Sequence, residues 1–588
     1  MAGLPYSIET RSCGAQIVRS TADLQIPDRC VSDRLFRWAA LAPDRTFIAG
    51  RRRSGEWQRL SFAAAAASVK RLAGHLLRYD LSAERPLVIL SRNSLEHALL
   101  MLAALHAGIP FCALPSSLYV DSQSKEPLRG VLRVLTPGLV YMDEEAEPVL
   151  AEVMALHGPV IAGEGAILAQ LAASGDPHES EVDRANARVG PSKIAKFLLT
   201  SGTTGSPKLV IQTHGMMLAN QAMLAHAFPF LEKEPPVLVD WLPWSHAFGS
   251  NHNFGIALYH GGSFYIDSGK PTPSGIAPTL ANLRETSPAI YFNVPSGFDL
   301  LLHHLQSDDV LARRFFERLR MLFYGAASLS ARTREGFDDV AARITGRKIP
   351  FLTGYGATET APAALVRFRD DAEWGSVGLP LPGTSVKLIP CGDTFEARVS
   401  GLAVTPGYWR NEAATRAAFD DDGYFRIGDA LRWTVDGDPA QGLSFDGRLA
   451  EDFKLANGEW VRTGRLAEVL TTALGGLVKQ TVIIGPGRPF VTALLCLGPE
   501  APSGVSFNAG SLSGEIRQRI AEELAHGNAS IRRVRRLLIL DAPLSARALE
   551  ITGKGSVNAR LIERTRRNEI ALLYGQHAAA PVIDLSGL

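Results

Sequence analysis

The 588-residue chain is predicted to be an α/β protein with a large multi-layer N-terminal region, residues 1–448, and a small α+β C-terminal domain, residues 449–588. Three observations predict this. The length exceeds what one hydrophobic core usually serves. Strand-like and helix-like segments alternate along the first three quarters. The composition then changes near Asp446-Gly447-Arg448.

The alternation begins early. Ala63 to Leu77 has helical composition, Pro86 to Leu90 is a short apolar strand, Leu95 to Ala107 a helix, and Pro110 to Leu114 another strand. Gly175 to Ser192 is polar and rich in charge, Gly and Pro, and reads as a surface linker. The apolar run Phe197 to Leu199 reads as a buried strand opening into a loop. After the compositional change come apolar strands at Thr481 to Ile484 and Val491 to Leu497. A Pro/Gly/Ser-rich loop, Gly498 to Ser513, leads to a helix near Glu515 to Ala525 and a last strand at Leu537 to Leu540. Arg532-Arg533-Val534-Arg535-Arg536 reads as a solvated strand edge, with CoA phosphates as its other reading.

Bulk properties narrow the function. Hydrophobic residues make up 46% and charged residues 21%, which is ordinary for a globular protein. The 61 basic and 60 acidic residues nearly cancel, so nothing selects nucleic acid as a partner. The five cysteines are scattered, form no C-x-x-C, and suit free thiols in a reducing compartment. Met1 to Gly14 has no signal-peptide core. The best membrane candidate, Ala98 to Leu114, is broken by His106, Gly108 and Pro110. A cytoplasmic enzyme acting on small molecules, with no nucleic acid and no membrane, is the expectation.

The loop after the strand carries the chemistry. Thr200-Ser201-Gly202-Thr203-Thr204-Gly205-Ser206-Pro207-Lys208 combines hydroxyl donors, glycines and a lysine. Glycines let backbone N–H groups turn toward a ligand, and lysine adds a mobile positive charge. Together they form a polyphosphate cradle. A Walker A loop is excluded, because Pro207 replaces its second glycine and Leu209 its Ser/Thr. No G-x-S-x-G marks a serine hydrolase, and no complete G-x-G-x-x-G follows a strand as a dehydrogenase needs.

An ordered series follows that loop: Trp244-Ser245-His246-Ala247-Phe248-Gly249, Tyr324-Gly325-Ala326-Ala327, Gly354-Tyr355-Gly356-Ala357-Thr358-Glu359, Thr405-Pro406-Gly407-Tyr408-Trp409, Gly423 to Asp429, Asp446-Gly447-Arg448 and Gly553-Lys554-Gly555. In order and spacing the series resembles the adenylate-forming superfamily of acyl-CoA synthetases, luciferases and adenylation domains across roughly residues 40 to 575. Tyr291 to Pro295, Ala450 to Gly458 and Ile551 to Asn558 resemble its feruloyl-CoA synthetase branch.

The resemblance implies an ATP-dependent acid–CoA ligase working through an acyl-adenylate on an aromatic, hydroxycinnamic-type acid. ATP, Mg²⁺ and CoA are the implied cofactors, and a homodimer is compatible with it. Medium-chain or fatty acyl-CoA synthesis, loading of a carrier protein in trans, and a degenerate nucleotide binder are the alternatives. Retention of Lys208, Glu359, Asp429, Arg448 and Lys554 disfavours the degenerate binder.

By the same resemblance, Thr200, Ser201, Gly202, Thr203, Thr204 and Lys208 hold phosphates. Thr358 donates to the α-phosphate, and Glu359 meets the metal. Gly325, Ala326 and Ala327 flank the adenine, with Tyr355 and Gly356 beside it. Asp429 and Arg448 clamp the ribose. His246 stands at the mouth of the carboxylate pocket, and Phe248, Phe292, Asn293 and Val294 are its candidate walls, equally readable as core. Lys554 serves adenylation. The small domain is implied to be mobile. Its hinge falls on Ala450, where the family often has Asp or Lys, so Glu451 is the next candidate.

Overall fold

The computed structural model describes residues 5–588 except 121–123, 157–158, 164–178, 201–206, 370–372, 374, 499–500, 502–509, 526–528, 546–549, 551–556 and 576–581. The chain divides into two compact units. The larger takes Met1–Leu388, Arg398–Ile427 and Thr434–Leu443; the smaller takes Ile389–Ala397, Gly428–Trp433 and Ser444–Leu588.

The larger unit is α/β, as expected. One sheet runs Lys208–Thr213, Ile194–Thr200, Phe111–Ala113, Leu87–Leu90, Leu139–Met142, Val160–Ala162 in spatial order. Its strands are parallel except the first, which pairs antiparallel with Ile194–Thr200. Buried strands of this kind read as unbroken apolar runs, which is why Leu87–Leu90 is wholly aliphatic and Leu139–Met142 carries only the Tyr141 hydroxyl, which donates to Glu96 Oε2 at 2.6 Å. The helix Leu95–Ala107 follows the same logic. Ser94 Oγ accepts from the His97 N–H at its start, and Gly108 ends it with φ of +70°. Glu96 to Ala107 are all buried, so the apolar stretch that resembled a membrane span is an interior helix. Among the described residues no helix is long and apolar enough to cross a membrane.

A second sheet places Ile290–Asn293, Met321–Tyr324 and Phe351–Tyr355 in parallel, continued by antiparallel Leu365–Arg367 and Ser376–Pro380. Helices Pro295–Ser307, Asp309–Phe316 and Ala331–Thr345 cover it. The core between is largely aromatic and leucine-rich, with Phe298, Phe315, Phe337 and Phe351 at its centre. A third sheet orders Val237–Asp240, Ser263–Ile266, Thr46–Arg51, Trp57–Ser61. Between its first two strands lies a π-helical segment, Phe248–Phe254, running into the helix Gly255–Tyr259. Such wide turns are rare and concentrate at functional sites.

The smaller unit has a sheet in the order Val478–Ile484, Val491–Leu497, Val534–Ile539, Val582–Asp584, with helices Thr463–Leu474 and Gly510–Ala525 against it. Two expectations need correction here and in the larger unit. Arg532 to Arg536 is not a solvated edge: the strand it enters is central, and Arg536 is buried, its Nε 3.1 Å from Asp584 Oδ2. The polar stretch read as a linker contains a helix, Glu179–Ala187, anchored by fully buried Val182.

One buried charge makes a stability prediction. Lys196, on the strand Ile194–Thr200, is 1% exposed and donates from Nζ to Ser250 Oγ at 2.8 Å. Burial pushes its ammonium down to about 7. The unfolded chain holds that proton up to about 10.4. Below the folded value both states are protonated and the burial cost is full. Between the two values the unfolded state binds more protons, so stability rises with pH. Lys196→Met should therefore be relatively most stable near neutrality. Its advantage over the parent should shrink with rising pH, by at most about 1.4 kcal/mol per unit. Denaturant midpoints across that window check this; a difference independent of pH would show that Lys196 does not titrate there.

Candidate active site

The hairpin around the predicted phosphate loop sets Thr200 directly opposite Lys208. Ser201, Gly202, Thr203 and Thr204, between them, lie outside the described residues. The segment Thr405–Trp409 lies along the outer side of Lys208–Thr213. Ile211 N–H donates to Gly407 O at 3.1 Å, and Trp409 N–H to Leu209 O at 2.8 Å. This pairing puts the Tyr408 ring 4.8 Å from Lys208 Nζ.

Tyr408 then reaches Glu359. Its hydroxyl donates to Glu359 Oε1 at 2.9 Å. Burial, with the Glu359 carboxylate adding to it, drives the Tyr408 phenol well above its ordinary range, so it stays a donor. The backbone around Glu359 is held by the same neighbours. Thr405 N–H donates to Glu359 O at 2.8 Å, and Gln212 Nε2 to Thr358 O at 2.9 Å. Gly356 is required in this turn, because a Cβ there would sit 1.9 Å from Pro362 O. Lys208, Tyr408, Thr358 and Glu359 are thus one constellation built from three distant stretches of chain. Tyr408 belongs to a recognised motif but received no role from the sequence; only its place beside Lys208 reveals one.

Glu359 fits the implied Mg²⁺. It is half-buried, and among the described residues only Tyr408 engages its carboxylate. Mg²⁺ is held by one or two carboxylates plus phosphate oxygens and water, and needs no fuller protein cage.

Gly325, Ala326 and Ala327 follow the strand Met321–Tyr324. Ala326 and Ala327 are exposed, and Ala326 has φ of +74°, a left-handed conformation a residue with a Cβ adopts at a cost of roughly 1–2 kcal/mol. Tyr355 is buried at the end of its strand, while Gly356 is exposed. A Cβ at Gly325 would lie 3.1 Å from the Phe248 ring, so glycine permits that ring's approach.

His246 is half-buried at the entrance to the π-helical segment. Its carbonyl accepts from Ser250 Oγ at 2.8 Å, and Ser250 in turn accepts from Lys196. Phe248 and Phe292 belong to a ring cluster that also contains Phe323 and His252. Phe248–Phe292 centroids are 6.2 Å apart and Phe292–Phe323 centroids 5.6 Å. Phe292 is buried and Phe248 half-buried; Val294, half-buried, starts the neighbouring helix.

Asn293 is 3% exposed and already engaged. Its Oδ1 accepts from Trp241 Nε1 at 3.2 Å and from its neighbour Val294 N–H at 2.8 Å, and its Nδ2 donates to Tyr291 Oη at 3.2 Å. Both ends of the amide are thus taken up within the protein, by Trp241, Val294 and Tyr291.

The smaller unit holds the other predicted residues. Arg448 Nε is 3.0 Å from Asp429 Oδ1; the Asp429 side chain is 4% exposed and that of Arg448 54%. Ala450 is exposed in a turn closed by Glu451 N–H donating to Arg448 O at 3.0 Å. Lys554 lies outside the described residues.

Comparisons with known proteins follow the same lines. Residues 35–409 match the family of AMP-binding enzymes. The chain is 26% identical to "Long-chain-fatty-acid--CoA ligase FadD15" of Mycobacterium bovis, over 89% of this chain and 93% of that protein. It is 31% identical to "Feruloyl-CoA synthase" of an Amycolatopsis species, over 42% of this chain and 49% of that one. In fold it is similar to ATP-bound MatB from Rhodopseudomonas palustris, with a TM-score of 0.69 at 21% identity, covering 92% of this chain and 99% of that one. With the motif series, the Lys208–Tyr408–Glu359 constellation and the match over residues 35–409 in agreement, the chain belongs to the AMP-binding enzyme family.

Proposed function

We propose that the protein is an AMP-forming acid–CoA ligase that activates aromatic acids of the hydroxycinnamic type. An acid oxygen attacks the α-phosphate of ATP, pyrophosphate leaves, and the acyl-adenylate forms. A CoA thiolate then attacks the acyl carbon and AMP leaves. Both steps are mainly positioning and charge stabilisation. In this reading Thr200 to Thr204 and Lys208 hold phosphates, Thr358 donates to the α-phosphate and Glu359 binds Mg²⁺, which neutralises phosphate charge. Gly325 to Ala327, Tyr355 and Gly356 seat the adenine, and Asp429 with Arg448 holds the ribose. His246 guards the carboxylate and Lys554 completes adenylation. The residues from 449 onward act as a mobile domain hinged at Ala450, and the cytoplasm is the expected location.

The observation that carries the choice of acid is the ring cluster of Phe248, Phe292 and Phe323, with centroids 5.6–6.3 Å apart. Aromatic pairs contribute roughly 0.5–1.5 kcal/mol beyond area burial, so each contact favours a flat ring by about threefold to tenfold. The 31% identity to "Feruloyl-CoA synthase" supports the same choice. The second reading, a fatty acyl-CoA synthetase, is favoured by the longer match to a long-chain ligase.

Pyrophosphate release tests both the acid and the acceptor. Ferulate, coumarate, benzoate and octanoate should be compared with and without CoA. Release should be fastest with the cinnamic acids, and turnover beyond the first should need CoA. Fastest release with octanoate would transfer the protein to the second reading. A single turnover that CoA does not extend would point to a carrier-protein thiol.

A further inference from the structure

His252 has no role in the family motif, yet its surroundings define its chemistry. It lies on the π-helical segment and is 1% exposed. Three phenyl rings surround it, with centroids at 5.3 Å for Phe248 and 5.2 Å for both Phe292 and Phe323. Its Nδ1 is 2.9 Å from Asn253 Oδ1. Its Nε2 is buried and has no hydrogen-bond partner among the described residues.

The tautomer follows from the chain of partners behind the ring. Asp240 Oδ1 accepts from Leu242 N–H at 3.2 Å, and Asp240 Oδ2 accepts from Asn253 Nδ2 at 2.9 Å. An ionised carboxylate only accepts, so Asn253 turns its nitrogen to Asp240 and its oxygen to His252. An oxygen facing Nδ1 requires the proton on Nδ1. Burial pushes the imidazole down to about 4, so the ring is neutral. Nε2 is therefore a bare lone pair, oriented and unpaired, inside an aromatic cluster. Polar atoms in such places normally have partners, and an unpaired one is costly.

We propose that His252 Nε2 is the specificity acceptor of the acyl pocket, receiving the O–H of a hydroxyl group on the ring of an aromatic acid. The proposal rests on the hydroxycinnamic-acid reading above and adds the atom that recognises the ring hydroxyl. Asp240 and Asn253 are positioning residues that hold the tautomer. Phe248 is the half-buried ring of the cluster and lies against Gly325; the proposal requires it to turn aside for the substrate ring. An alkyl chain, an unsubstituted ring or a methyl ether has no proton to give and leaves Nε2 unpaired. Sites built to pair a substrate hydroxyl reject analogues lacking it far more strongly than apolar walls do.

The test compares kcat/KM for 3- and 4-hydroxycinnamate, cinnamate and 4-methoxycinnamate. It should be run at pH ~8, above the value of about 7 to which burial pushes Asp240 up, so that the carboxylate is ionised. The better hydroxy acid should exceed cinnamate and the methyl ether by about 10- to 100-fold, the range expected when a buried acceptor is left unpaired. His252→Phe should bring the hydroxy acid and cinnamate within about threefold, mainly by loss of the hydroxy acid. Adenylation of cinnamate should persist, which a merely structural role for His252 does not predict. A parent enzyme with no preference for hydroxyl over methoxyl would overturn the proposal without any variant. So would a preference that survives in His252→Phe. If fatty acids are turned over and none of the cinnamic acids is, the aromatic-acid reading itself fails, a separate and recognisable result.

Discussion

Lys554→Ala is expected to lower acyl-adenylate formation by on the order of 10²-fold or more, the loss typical of removing a key electrostatic donor. The lysine stands between Gly553 and Gly555, on a stretch without helical or strand periodicity. The assigned role of this lysine is to meet the α-phosphate and the carboxylate together and neutralise charge as the bond forms. Thioester formation is expected to use a different face of the rotated small domain, so Lys554 should not be the group that serves it. Synthetic acyl-adenylate supplied with CoA should be converted by the variant at close to the parental rate. Equal loss in both half-reactions would remove Lys554 from its assigned role.

Ala450→Pro should separate the half-reactions in another way. Arg448 to Glu451 form a turn closed by Glu451 N–H donating to Arg448 O at 3.0 Å, and Leu449 N–H donates to Gly428 O at 3.1 Å. Ala450 is the third residue of that turn, where proline forces the preceding residue out of the helical region. Proline also fixes φ near −65° and removes an N–H. If the chain rotates here between adenylation and thioesterification, the substitution holds one orientation. One half-reaction should stay within a few-fold of the parent while the other drops by about 10²-fold, as for a misplaced reacting group. Stopped-flow adenylation and thioesterification assays separate the two. Parental rates in both would move the hinge, with Glu451 next.

Much of this arrangement was legible in the sequence because the relevant signals are local. Val491 to Leu497 is apolar except for Thr492, and it forms a strand with those bounds. The apolar run Phe197 to Leu199 lies within the strand Ile194–Thr200. Other features depend on partners far along the chain. The helix Glu179–Ala187 is hidden because one buried valine gives no periodicity. The run Arg532 to Arg536 looks solvated until Asp584 and the carbonyls of Leu573 and Gly575 are seen to satisfy Arg536. The π-helical segment has no sequence period to betray it, and it alone sets His252 against Phe248. At the site, the motifs named Lys208 and Glu359. That Tyr408 joins them is a consequence of strand pairing between residues 210 and 408, which spacing cannot reveal.

The proposed selection of aromatic acids can be read most directly from a competition under limiting CoA. With 4-hydroxycinnamate and hexadecanoate present at equal concentration, the ratio of acyl-CoA products measured by mass spectrometry equals the ratio of their kcat/KM values. Two or three aromatic contacts at about threefold to tenfold each predict 4-hydroxycinnamoyl-CoA in at least roughly tenfold excess. Hexadecanoyl-CoA as the dominant product would contradict the claim.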